Sequence, residues 1–289
     1  MPSPVLADLH LHTTASDGRL RPTALVRLCA QRGLRVIAIT DHDTTDGLAE
    51  ARAEVHRHPH MTLIPGVEFS TDVPGEEIHL LGYFLREEDG VLQEVLHRLR
   101  QGRIARAHKM LERLRAFGMD IRWERVLEIA GGASSVGRPH IAQAMLEKGY
   151  VSSLKEAFDR WIGRHGPAYV ERDKFPPAEA IRFIRQRGGI PALAHPRDIT
   201  DLPRWLKELK EAGLAGMEVY YGDYTSDQVS ALLALAREHA LLPVGGSDYH
   251  AFHTPGEVEP GSVGPPWEVV EGLFALSGKQ PVSSSPHPS

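Results

Sequence analysis

The chain has 289 residues, 42% hydrophobic and 25% charged, the balance of a globular domain rather than a disordered or membrane-embedded one. Its net charge of -5 excludes a global basic field, so no stable duplex nucleic-acid binding is expected, although a local basic pocket is compatible with it. A single cysteine, Cys29, excludes an internal disulfide and suits a reducing cytoplasm. The opening Met1-Pro-Ser-Pro4 has neither the basic nor the apolar region of a signal peptide. No apolar run approaches the ~20 residues that span a bilayer.

In chain order, short apolar runs alternate with helical periodicity. A strand is expected over 5–11, a helix over 22–32, a strand over 36–40 and a helix over 47–56. Cys29 follows Leu25, Val26 and Leu28 on the first helix, which predicts a buried, inert thiol. Strands over 62–70 and 77–84 follow, with a turn at Pro74-Gly75. From about 91 to 161 the period is helical throughout, broken at Gly131-Gly132. Residues 88–176 are therefore expected to form an all-helical insertion. Its basic residues (Arg98, Arg100, Arg103, Arg106, Lys109, Arg113 and Arg115) read mostly as a solvated helix face. Alternation then resumes: helix 177–187, strand 190–194, helix 202–212, strand 217–221, helix 226–239, strand 242–245 and a closing helix 266–276. The Ser- and Pro-rich tail, 277–289, is expected to be disordered. Repeated strand–helix units imply a largely parallel α/β sheet, open or closed into a barrel, built from residues 1–87 and 177–276.

Several strands end in residues that bind metals. The first carries His10 and His12, two apart and so on one face of a strand, with Asp17 a short loop away. The second ends at Thr40-Asp-His42-Asp. Glu68 follows Gly66-Val67, His79 interrupts an apolar strand, His195 ends Ala192-Leu-Ala-His-Pro196, and Asp248 and His250 follow the last strand. Each alone has an ordinary explanation: a packed histidine, a turn, a cap. Their recurrence at one end of a parallel α/β sheet, where strand C-termini converge, points to a shared pocket. Nine candidates exceed the three or four protein ligands one catalytic ion needs, so two or three ions are expected. Imidazole plus carboxylate accepts Mn, Fe or Zn. Such a site can activate water and steady a leaving oxygen.

The motifs Asp8-Leu-His-Leu-His12, Thr40-Asp-His-Asp43, Ala194-His-Pro196 and Ser247-Asp-Tyr-His250 resemble those of the PHP (polymerase and histidinol phosphatase) family, along essentially the whole chain but the tail. The resemblance implies a distorted (β/α)7 barrel with three metal ions and phosphoesterase activity. It implies that His10, His12, Glu68 and Asp248 bind one ion. Glu68, His79 and His195 would bind a second, and Asp17, His42 and His250 a third, with manganese the expected metal. His195 and Asp248 are the catalytic candidates.

Ser134-Ser-Val-Gly-Arg-Pro-His140 in the insertion resembles the family branch that acts on nucleoside 3′,5′-bisphosphates and the 5′ end of short RNA. There Arg138 and His140 would meet the substrate phosphate. Arg138 offers a planar fork, Pro139 suits a first helical turn, and the free amides of that turn would add to anion binding. Lys174, Arg197 and Arg164 are weaker candidates for a second phosphate. The expected partner is a nucleotide or short oligonucleotide. A histidinol-phosphate or other small phosphomonoester phosphatase is the alternative enzyme. A non-catalytic metal-binding interaction module is the alternative of another class.

Overall fold

The computed structural model describes residues 4–73, 76–171 and 175–280. The turn expected at Pro74-Gly75, Lys174 and residues 281–289 of the tail lie outside them. Seven strands follow one another in sequence order: β1 (Ala7–Leu11), β2 (Val36–Ile39), β3 (Thr62–Val73), β4 (Glu76–Tyr83), β5 (Ile190–Leu193), β6 (Gly216–Tyr221) and β7 (Leu242–Gly246). The outer helices are α1 (Pro22–Gln31), α2 (Leu48–Val55), α7 (Pro177–Gln186), α8 (Leu202–Ala212), α9 (Ser226–Glu238) and α10 (Trp267–Ser277). Between β4 and β5 the chain is helical: α3 (Gly90–Ala116), α4 (Trp123–Ala130), α5 (Arg138–Glu147), α6 (Leu154–Ala157) and a π-turn over Phe158–Ile162.

The sheet is a nearly closed (β/α)7 barrel. At the seam, Asp248 N–H donates to His10 O (3.0 Å) and His12 N–H to Tyr249 O (3.1 Å). Gly246 allows the close approach, since a Cβ there would sit 2.5 Å from His10 N. The four pairings β1–β2, β2–β3, β5–β6 and β6–β7 are parallel, whereas β4 runs antiparallel to both neighbours. The continuous apolar runs of β2 and β5 fit burial on both faces. One face packs inside the barrel (Ala7, Leu9, Val36, Ala38, Ile64, Ala192, Val244). The other packs under α1 and α2 (Leu11, Ile37, Ile39 with Leu25 and Cys29) or under α7 to α9. Cys29 is fully buried, and burial pushes its thiol well up, as an inert cysteine requires.

Two bulges break the alternation. The register of β1 on β2 slips by one residue between Asp8 and Leu11, and that of β6 on β7 between Glu218 and Tyr220. A one-residue slip changes which face later side chains take. Leu9 therefore packs inside with Ala7, yet Leu11 packs outside and His10 and His12 turn to the rim. On β6, Glu218 and Tyr221, three apart, both reach the rim for the same reason.

The helical segment has its own apolar cluster, including Met110, Leu114, Val126, Ile141, Met145 and Ile162. α3 spans two clusters: Leu92 and Leu96 pack with the barrel, Ala107 to Leu114 with the other helices. β3 pairs with β2 only from Thr62 to Pro65, then continues with β4 to Val73 as a ribbon that meets α3.

Candidate metal centre

Glu68 lies at the centre of the rim. Its carboxylate is within 3.3 Å of His10 Nε2, 3.2 Å of His12 Nε2, 3.1 Å of His42 Nδ1, 2.8 Å of His79 Nδ1 and 3.1 Å of His195 Nε2. Asp248 Oδ1 stands 3.2 Å from His10 Nε2 and 3.0 Å from His12 Nε2. Asp17 reaches His250 Nε2 (3.4 Å), His42 Nε2 (3.8 Å) and His12 Nδ1 (3.9 Å). Three groups gather their ligand atoms within 4.8 Å: His10, His12, Glu68 and Asp248; His12, Asp17, His42 and His250; His42, Glu68 and His79. All nine residues singled out from sequence thus meet at one rim. Against the sets the resemblance implies, His12 also borders the Asp17 group and His42 the Glu68 group. His195 comes in through Glu68 alone.

The polar atoms here are poorly satisfied by protein. Among the described residues, His12 Nδ1, Asp17 Oδ1, His42 Nδ1 and Asp248 Oδ1 are buried without a well-aligned hydrogen bond, although charged neighbours stand as close as 3.0 Å and such groups are costly to leave so. His10 and His12 point their Nε2 atoms at each other, 3.0 Å apart. Burial alone would raise the Glu68 carboxyl, but the imidazoles gathered around it, among them His42, His79 and His10, hold it well below its usual range. Burial drives His42 well down, toward the neutral form that ligates. Lone pairs converging from imidazoles and carboxylates fit divalent metal ions.

The rim is held from behind. Glu218, wholly buried, takes His10 Nδ1 at 3.0 Å on one oxygen and the His195 backbone N–H at 2.7 Å on the other. Tyr221 donates to Asp248 Oδ2 (2.7 Å). Asp8 accepts both the backbone N–H and the hydroxyl of Ser247 across the seam. Asp41 accepts from Thr13 and Ser16, fixing the loop that brings Asp17. His195 (φ 29°), Asp248 (φ 54°) and Asp43 (φ 53°) hold positive φ, backbone strain concentrated at the rim. His79 reaches it because β4 runs backwards, so its N-terminal half points where the other strands end.

A cavity of about 210 Å³ adjoins the cluster, lined by Asp17, His42, His79 and His250 on one side and Arg103, Arg106 and Arg138 on the other. Arg138 and Arg106 grip the two oxygens of Glu77, at 2.6 and 2.7 Å. Arg103 binds Asp43 and Ser70. Arg103 and Arg106 are buried and so depart from the solvated face expected of α3; they fall on the stripe of Leu92, Leu96 and Met110. His140 lies on the far side of the α5 start, buried, its Nδ1 accepting the Gly137 N–H (3.0 Å). That amide is therefore engaged internally, against the expectation of free amides there. Arg197 pairs with Asp198 and Asp223, and Arg164 lines a separate recess with Lys109 and Arg113.

A barrel rim with these donors beside an arginine-lined cavity defines a metal-dependent hydrolase of anionic esters. Residues 8–163 match the family model described as PHP domain, and the chain belongs to that family. It is 37% identical over 251 residues to the 5′-3′ exoribonuclease Rnm of Escherichia coli, covering 85% of each chain. It is 31% identical over 254 residues to the 3′,5′-nucleoside bisphosphate phosphatase of Chromobacterium violaceum, covering 86% of this chain and 88% of that one. A candidate metal-dependent phosphoesterase from Bifidobacterium adolescentis superposes with a TM-score of 0.84 at 28% identity, over 95% of this chain and 98% of its own. The protein is a metal-dependent phosphoester hydrolase. Among the described residues no helix is long and apolar enough to cross a membrane.

Proposed function

We propose that the ester is a nucleotide's: the 3′-phosphate of nucleoside 3′,5′-bisphosphates, the 5′-terminal linkage of short RNA, or both. The observation that carries this reading is the row of Arg103, Arg106 and Arg138 directly beside the ligand cluster, two of which share the single carboxylate of Glu77 and can exchange part of that pairing for a phosphate. The names of the Escherichia coli and Chromobacterium violaceum relatives support it. In this reading His10, His12, Glu68 and Asp248 hold one ion. Glu68, His79 and His195 hold a second, and Asp17, His42 and His250 a third, with manganese the metal of choice. Divalent metals bound there make water a nucleophile near neutral pH and draw charge from phosphoryl oxygens.

Arg138 faces a substrate phosphate and exchanges part of its pairing with Glu77 for it, held by the faces of Phe158 and Tyr169 (5.7 and 5.9 Å to the ring centroids). His140 fixes the start of α5 and, with Nδ1 accepting, presents an Nε2 proton toward a phosphate. Water adds to phosphorus in line, the bond from phosphorus to the sugar oxygen breaks, and the departing oxygen takes a proton. We assign that proton to His195, whose carboxylate neighbours favour its protonated form against burial, with Asp248, held well below the usual carboxylate range, as the acidic neighbour beside it. Nucleotide substrates and the unpaired Cys29 suit a cytoplasmic enzyme.

The test is phosphate or nucleotide release, with manganese added, from nucleoside 3′,5′-bisphosphates, short 5′-phosphorylated RNA and histidinol phosphate. Turnover of either of the first two is expected. Release from histidinol phosphate alone overturns the nucleotide reading.

A further inference from the structure

A second cavity, about 480 Å³, lies on the other side of the α5 start. It shares Asp17, Pro139 and Phe252 with the arginine-lined cavity, so the two recesses meet at the ligand cluster. At the junction three rings form a pile: His250 lies on His12 (centroids 4.1 Å apart, 15° between planes) and Phe252 on His250 (5.2 Å, 14°). Glu257 fixes the loop that carries Phe252, accepting the backbone N–H groups of His250, Phe252 and His253. The Arg19 guanidinium lies over the Phe252 ring, 5.4 Å from its centroid, and hydrogen-bonds Gln143 of α5. Its backbone N–H donates to His250 O (2.8 Å). Arg125, on the far wall, is paired with Glu128 and Glu147, whereas Arg19 has no ion-pair partner among the described residues. The groove thus offers an exposed guanidinium with no ion-pair partner, seated on an aromatic ring, and both are anchored beside a candidate metal ligand.

We propose that this groove binds the nucleotide that follows the scissile phosphate in an oligonucleotide: the exposed Arg19 guanidinium leaves the Phe252 ring for the next phosphate, and the base takes its place on the ring. The proposal rests on the nucleotide reading above. Hydrolysis of a phosphodiester breaks one ester bond at phosphorus and leaves the other intact. An oligonucleotide must therefore extend from the reacting phosphorus in two directions, while a 3′-phosphate monoester extends in one. The arginine-lined cavity receives the nucleotide that departs, and the Arg19–Phe252 groove receives the chain that keeps the phosphate. Base-on-aromatic stacking tolerates any base, and a single guanidinium adds one phosphate contact, so the groove confers length preference without sequence preference.

The experiment measures kcat/KM of the manganese-loaded full chain on a short 5′-phosphorylated RNA and on a nucleoside 3′,5′-bisphosphate, at several salt concentrations. In Arg19→Ala and in Phe252→Leu the RNA-to-bisphosphate ratio should fall about tenfold, through a raised KM for RNA. The salt slope for RNA should fall by about one in Arg19→Ala and persist in Arg19→Lys. An unchanged ratio, or an equal loss on both substrates, overturns the proposal. A wild type that hydrolyses the bisphosphate but does not shorten RNA overturns the groove and leaves the nucleotide reading standing. A wild type inactive on both removes that reading and the groove with it.

Discussion

Glu218 touches no candidate substrate surface, yet it orients two imidazole-bearing residues at once, through the His10 ring and the His195 backbone. A carboxylate behind a ligating imidazole fixes its tautomer and raises its basicity. Glu218→Gln should therefore weaken metal binding about 10- to 100-fold with the fold intact, read as metal content after dialysis against graded chelator. Asp17→Ala and His250→Ala should each lose phosphate release with a melting temperature near the wild type's. Retained turnover by folded, metal-analysed variants would remove the third-ion assignment. All nine rim candidates were legible as single residues: several close an apolar run at one end of the sheet, His79 and Glu68 interrupt one, and Asp17 follows the first strand by a short loop. Glu218 and Tyr221 were not, since they stand three apart on one strand and only the β6 bulge brings both inward. A charged residue in the otherwise apolar Gly216-Met-Glu-Val219 was the available signal for Glu218. Arg103 and Arg106 were misread because charge on a long helix usually means solvent; their alignment with Leu92, Leu96 and Met110 was the contrary sign.

At the scale of elements, α1 opens on Arg21, which offers no side-chain cap, and Glu50 of α2 supplies one from across the gap. Its Oε1 accepts from Thr23 N (3.2 Å) and Thr23 Oγ1 (2.8 Å), and Arg21 reaches Oε2 at 3.0 Å. The Arg21 hydrogen bond, helped by Thr23, lowers the Glu50 carboxyl to about 2 against the drift of burial. A folded-state pKa below that of the unfolded chain gives stability that is whole above about pH 4.3 and fades as pH falls toward 2. Because Glu50 is 32% and Arg21 76% exposed, solvent screens the ion pair, and the Glu50 cap on Thr23 contributes about 0.5–1 kcal/mol. Glu50→Gln should lose about that much in urea unfolding at pH 7, with the difference from wild type closing between pH 5 and pH 2. A difference constant with pH would assign the effect to shape rather than charge. The elements themselves follow the sequence closely; the helix at 202–212 is one case, its apolar stripe ending at a left-handed Gly213. Direction was harder to read: the second half of β4, Leu80-Leu-Gly-Tyr83, is as apolar as a parallel strand, and the short gap from β3, too short for a crossover, marks it as antiparallel.

Across the whole molecule, the ligand cluster lies where two apolar cores meet, the barrel's and that of the helical segment, with α3 running through both. Its candidate ligands come from both ends of the barrel sequence, from His10 to His250, and the helical segment closes over them through Arg103, Arg106 and Arg138. Metal bound there would tie together strands that the seam joins by only a few hydrogen bonds. Binding to the folded chain alone stabilises it by RT ln(1 + [M]/Kd), about 2.7 kcal/mol for one site at a hundredfold excess over Kd. For a domain of this size each kcal/mol moves the melting temperature by about 2–4 °C. Chelation should then lower it by about 5–10 °C, reversed by adding manganese. Glu68→Gln should show a much smaller shift, since one residue serves two of the three groups. A melting temperature unmoved by chelator, with metal shown to be gone, would mean that these buried charges are held by protein contacts alone; the orphaned atoms of His12, Asp17, His42 and Asp248 argue for the opposite result.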